Sequence, residues 1–179
     1  METNIAFLLA QACDGNGRMV ADYFNFTEER WEDCHDHMQW AFPTHTKSAY
    51  NPRAATIPLD FELSSLTDDE LQRCRATISL LLRSYTQSLG VEFLINHTLV
   101  TFTLLPRIQY PAWASSRDHN VLRMTRVLEC LGIFGMTNIQ TALHDFLVYE
   151  IAPTYFETIN AKTVAYWVAA KEGKLHLMR

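Results

Sequence analysis

The sequence predicts an all-α protein: a single compact helical bundle of about six helices, with a long irregular loop over 44–65 and one ambiguous, possibly extended segment over 91–117. Three observations support this expectation. Apolar residues recur at helical spacing for about five turns between Leu71 and Leu89, which leaves one face to be covered by neighbours. Capping signals precede several such stretches. Glycine and proline fall at their ends, at Gly15, Gly17, Pro43, Gly90, Gly132, Pro153 and Gly173.

In chain order, Asn4 to Cys13 reads as a short helix stopped by the turn-rich Asp14-Gly15-Asn16-Gly17. Thr27 is a good N-cap, Glu28 and Glu29 sit in the first turn, and Phe26 can staple to Trp31. Trp31, Cys34, His35 and Met38 continue the helical spacing as far as Pro43. The loop that follows contains Pro52 and Pro58, and Tyr50, Ile57, Leu59 and Phe61 can anchor it across the helices.

Thr67 and Glu70 form a capping box ahead of the clearest helix. Its inner face is Leu71, Cys74, Ile78, Leu81, Leu82, Tyr85 and Leu89, and Gly90 is the expected residue past its end. Beyond it, 99–105 has strand-like β-branched content, while Pro106 and Pro111 rule out one long helix. A short extended segment and a bent helix both fit.

Helix resumes at Asp118 and runs to Leu131, with Leu122, Leu128 and Leu131 expected in the core and Gly132 as the stop. Thr137 and Gln140 repeat the capping-box spacing, with Ile139, Leu143, Phe146 and Leu147 inward and Pro153 closing the helix. The last helix, 161–171, should bury Val164, Trp167 and Val168. No composition shift or repeat divides the chain, so 1–20 reads as an N-terminal helix and turn, and 21–179 as one helical domain.

A chain of 179 residues can bury roughly 70% of its unfolded surface in one domain. The net charge of −5 argues against general nucleic-acid binding, because no surplus of cations exists to neutralise phosphates. Cys13, Cys34, Cys74 and Cys130 are widely spaced and mostly at apolar helix positions, the usage of reduced, intracellular cysteines. The N-terminal stretch carries Glu2 and no basic leader, and no apolar run approaches the length of a membrane span. The expectation is a soluble cytoplasmic protein without a membrane span.

The chemistry concentrates in 118–131. Asp118, His119 and Asn120 open a helix, whose free amides favour anions. Arg123 follows His119 on the same face, with Arg126 three residues on, so the group could hold a carboxylate or phosphate. Equally, Asp118 caps the helix and the arginines pair with acids or carbonyls of the long loop. Cys34, His35, His37 and His45 have metal-ligand chemistry, but a helix through 31–39 would set His35 and His37 about 200° apart. No metal and no other cofactor is therefore expected; if a metal binds, His35, His37 and His45 are the candidate ligands. There is no nucleophile elbow and no Gly-rich phosphate loop, so no catalytic residue is assigned.

His35-Asp-His-Met-Gln-Trp-Ala-Phe-Pro43 resembles the His-x-Tyr-Ile-Gln-Trp-Leu-Phe-Pro signature of the opioid growth factor receptor conserved region. The run from His119 to Gly132 is similar to the same family's His-Asn-Asn-Leu-Arg-Ile-Thr-Arg-Ile-Leu block, with Gly135 at the next turn. His37 stands where the signature has an aromatic residue. The resemblance implies an all-α domain that binds an enkephalin-type peptide, in an intracellular, nucleus-associated receptor that restrains proliferation. It supplies no catalytic mechanism.

On this reading the chain is a peptide- or protein-binding module, with Trp40, His119, Asn120, Arg123 and Arg126 at the contact or supporting it. His35, Gln39, Trp40, Phe42, Pro43, Leu122, Thr125, Leu128, Gly132 and Gly135 form the structural signature. Two other classes compete: a histidine- or metal-dependent enzyme or nucleic-acid-processing factor, and a small viral or bacterial effector that masks a host protein.

Overall fold

The first amides of a helix need partners, and Thr67 and Glu70 supply them reciprocally. The Glu70 amide donates to Thr67 Oγ1 at 3.2 Å, and the Thr67 amide donates to Glu70 Oε2 at 2.9 Å. The computed structural model describes residues 3–47, 56–57, 61–106, 108 and 111–178. The chain divides into two compact units, Met1–Ser88 and Leu89–Arg179.

The capping box opens α5 (Asp68–Ser88), the axis of the first unit. Cys74, Ile78, Leu81, Leu82 and Tyr85 are fully buried on the face the periodicity marks, each large side chain contributing about 1.5–3 kcal/mol. Against this helix pack α1 (Thr3–Leu8), α2 (Val20–Phe24) and α3 (Glu28–Asp33). Thr27 caps α3 by accepting from the Arg30 amide at 3.2 Å, and the Phe26 and Trp31 rings meet at 5.3 Å as the staple. Trp31 Nε1 then donates to Ser84 Oγ of α5 at 3.0 Å.

The helix expected to run on to Pro43 breaks at Cys34, whose backbone is extended (φ −81°, ψ 111°), and restarts as the short α4 (Met38–Ala41). A continuous helix would point Cys34 and Asp36 about 200° apart. The bend instead lets both reach the guanidinium of Arg18, a tertiary contact that overrides the local period. After Pro43, the Ile57 amide donates to the Thr44 carbonyl at 3.0 Å, and Ile57 is buried as an anchor. The other expected loop features at Tyr50, Pro52, Pro58 and Leu59 lie outside the described residues, and Phe61 is half-buried.

The second unit corrects the all-α expectation. Val91–Asn96 (β1) and Leu99–Leu104 (β2) form an antiparallel hairpin, in register from Val91 opposite Leu104 to Asn96 opposite Leu99. The fold is helix-rich but mixed. Phe93 and Phe102 stack at 4.7 Å on the buried face, and Phe102 meets Phe146 at 6.1 Å. Two features hide this hairpin. Its turn is His97-Thr98, with His97 at φ 53°, rather than an Asn-Gly pair. Leu94 and Ile95, 47% and 46% exposed, interrupt the alternation. Gly90 ends the preceding helix at φ +70°, and a Cβ there would stand 2.5 Å from Ile108 Cγ1, so space and conformation both require glycine.

Helix α6 (His119–Ile133) is the centre of this unit, contacting α7 (Thr137–Asp145) and α9 (Ala161–Lys171). Trp167 of α9 is fully buried and donates from Nε1 to the Val121 carbonyl at 3.1 Å; Val164 and Val168 are only half-buried. Gly132 does not stop α6. A Cβ on it would meet Gln140 Nε2 at 2.6 Å, and that nitrogen donates to the Leu128 carbonyl at 2.9 Å. The left-handed residue is Gly135, at φ 64°. Because Gln140 serves α6, it does not build the expected capping box with Thr137, and Met136 precedes α7 without a side-chain cap.

Pro153 also behaves differently from the expectation. The chain passes it, continuing from α7 through a π-helical turn, Phe146–Ile151, into α8 (Ala152–Thr154). Proline excludes an ordinary helical bond to the carbonyl four residues back, and the wider turn accommodates this: the Ala152 amide donates five residues back, to Leu147.

Candidate functional site

Two polar constellations stand out, one in each unit. In the second unit, Asp118 caps α6 by accepting from the Asn120 amide at 2.7 Å. Asn120 (2% exposed) and Arg123 (8%) are buried, and Arg123 Nη1 donates to Asn120 Oδ1 at 3.1 Å. Arg126 and His119 are half-buried on the same side of the helix. Burial draws the basicity of Arg126 down, with Glu129 and Cys130 working against that shift. Thr125 bonds back to the Val121 carbonyl at 3.2 Å, and Leu128 and Leu131 are fully buried.

Leu122 is a correction: it is 47% exposed rather than in the core. The buried arc of α6 is set by Val121, Met124, Val127, Leu128 and Leu131, and the helical period turns position 122 away from it. An apolar side chain therefore stands on the outer face of the helix between His119 and Arg126.

In the first unit, the signature around 35–43 supplies mostly core. Phe42 and Pro43 are buried, Gln39 is 5% exposed and Trp40 9%, with the Trp40 and Phe7 rings 5.6 Å apart. His35 is exposed. His45 Nδ1 donates to the Ile57 carbonyl at 3.1 Å, which occupies that nitrogen with the loop.

The connected polar network lies beside the bend. Asp14 has a fully buried side chain; its Oδ1 accepts from the amides of Asn16 (2.8 Å) and Arg18 (2.9 Å), and its Oδ2 from Tyr23 Oη (2.7 Å) and Arg18 Nε (2.5 Å). Arg18 Nη2 reaches Asp36 Oδ1 at 2.9 Å, its Nη1 reaches Cys34 Sγ at 3.7 Å, and Asn16 Nδ2 donates to the other Asp36 oxygen.

Burial pushes the Asp14 carboxyl up, but the hydrogen bonds from Tyr23, Arg18 and Asn16 outweigh it and hold the group below the ordinary carboxylate range. Burial likewise opposes the Arg18 charge, and the bonds to Asp36 and Asp14 more than restore it. Burial and the Asp14 bond keep the Tyr23 phenol protonated, as a donor.

His37 completes this region. It is fully buried, with its ring centroid 4.9 Å from that of Trp31, 5.9 Å from Phe26 and 6.3 Å from Tyr23. A sulfur, a carboxylate oxygen and a ring nitrogen from Cys34, Asp36 and His37 all lie within 4.8 Å of one another. Of the histidines with ligand chemistry, the bend thus recruits His37 and leaves His35 and His45 out. Sequence reasoning missed Asp14, Asn16, Arg18 and Asp36. The one local signal was the turn Asp14-Gly-Asn-Gly followed by Arg18, where an aspartate can accept from amides two and four residues on.

The chain belongs to the family defined by the opioid growth factor receptor (OGFr) conserved region, which matches residues 16–176 and so takes in both signature blocks. No curated protein and no solved structure matches the chain. Among the described residues, no helix is long and apolar enough to cross a membrane.

Proposed function

We propose that this chain is a non-catalytic recognition module that works inside the cell and binds a peptide or protein, nominally of the enkephalin type. Membership of the opioid growth factor receptor family over residues 16–176 is the observation that carries this reading. The outer face of α6 supports it. Leu122 stands exposed there between His119 and Arg126, a mixture of apolar contact and positive charge suited to a peptide with an apolar side chain and a carboxylate. Asn120 and Arg123, buried behind that face, act as its support. Trp40 is a core residue of the first unit and supports the fold there.

Calorimetric titration of the full chain with an enkephalin-type peptide, and with a scrambled peptide of the same composition, tests this. Saturable one-to-one binding of the first peptide alone is expected, weakened at least about tenfold by Leu122→Asp with an unchanged melting temperature. Equal behaviour of the two peptides removes the enkephalin assignment. If in-cell crosslinking then also yields no partner whose recovery depends on Leu122, the module reading falls with it.

A further inference from the structure

We propose that the bend between α3 and α4 is a binding site for one divalent transition-metal ion of the Zn²⁺ type, ligated by Cys34 Sγ, an Asp36 carboxylate oxygen and a His37 ring nitrogen. The inference does not depend on the peptide-binding reading. Geometry, donor chemistry, charge and the surrounding shell support it.

The first is geometric. The three donor atoms lie within 4.8 Å of one another. A tetrahedral ion at about 2.0–2.3 Å from each donor needs them roughly 3.5 Å apart, so small side-chain rotations close the site. The second is donor chemistry. Thiolate, imidazole and carboxylate together suit zinc and its neighbours, whereas calcium and magnesium take oxygen alone.

The third is charge. Asp14 and Asp36 outnumber Arg18 by one negative charge. When the metal takes Cys34 as thiolate, releasing its proton to solvent, the excess becomes two, which a dication neutralises. Arg18 need not leave: its short bonds go to Asp14 and Asp36, and only the 3.7 Å contact with Cys34 is displaced.

The fourth is the surrounding shell. Arg18 and Asn16 hold both oxygens of Asp36, each of which keeps a lone pair for a metal. The rings of Trp31, Phe26 and Tyr23 fix the His37 imidazole edge-on. Outer contacts of this kind orient ligands in metal sites. Three protein ligands leave a fourth position for water or a donor from a bound partner.

The test uses the full-length chain stripped of metal, with equilibrium dialysis against Zn²⁺ and optical titration with Co²⁺. One ion per chain is expected, with a sulfur-to-cobalt charge-transfer band and the intense visible bands of a tetrahedral site. Cys34→Ser should abolish the charge-transfer band, and both it and Asp36→Asn should weaken binding at least about tenfold, while His35→Asn leaves binding unchanged. The cobalt spectrum of the unmutated chain is independent of whether any variant folds. No stoichiometric uptake, a cobalt spectrum without the sulfur band, or full-strength binding by folded Cys34→Ser would each overturn the proposal.

Discussion

Arg18 and Arg126 are both withdrawn from water, and their surroundings treat them in opposite ways. Arg18 sits against two carboxylates at 2.5 and 2.9 Å, which hold its proton more firmly than in a free arginine. Burial of Arg126 is the larger influence on it, and its basicity falls despite Glu129 one turn away. The first is one member of an interlocked set; the second is a charge that its burial disfavours. Arg18 lies outside both signature blocks, and its charge is favoured where that of Arg126 is disfavoured.

The largest expected effect follows from that difference. Arg18→Met leaves Asp14, with a fully buried side chain, without its cation, and should cost about 3–5 kcal/mol in urea unfolding followed by tryptophan fluorescence. If Arg18→Met costs no more than the same change at Arg126, the contrast between the two sites is wrong.

Asp14 comes next. Its folded-state pKa lies below the ordinary carboxylate value, so the deprotonated form stabilises the folded chain. That stability is fully present above the unfolded value of about 3.9 and is lost as pH falls through the lower folded value. Asp14→Asn should cost about 1–3 kcal/mol at neutral pH and flatten the stability profile below about pH 4. An unchanged acid limb would assign that sensitivity to other carboxylates.

The smallest effect is expected at Arg126. Burial already disfavours the Arg126 charge, so Arg126→Met should cost less than Arg18→Met, about 1–2 kcal/mol in the same unfolding measurement. A cost near that of Arg18→Met would show that its partners matter as much as those of Arg18.

Legibility in the sequence divides along the same line. Thr27 with Phe26 and Trp31, Thr67 with Glu70, and Asp118 with Asn120 are signals spanning three to six residues, and each forms the contact its spacing implies. The two signature blocks are short enough to be recognised, and the family they point to is the one the chain belongs to. The polar network is not legible in this way: Asp14 and Asp36 are joined through Arg18 and Asn16, between segments about twenty residues apart.

By itself, then, the sequence determined the long helix α5 with its capped start and glycine end, the capped start of α6, and the family. These rest on hydrogen bonds and packing between residues one helical turn apart. Only the tertiary structure decided that 34–37 bends, that 91–104 is a hairpin turning on His97, that Gln140 reaches Leu128 instead of capping its own helix, and that Leu122 faces outward. In three of these cases the chain follows partners distant in sequence. For Leu122, the choice among apolar positions on one helix depends on which side the neighbouring helices cover, and no local spacing encodes that.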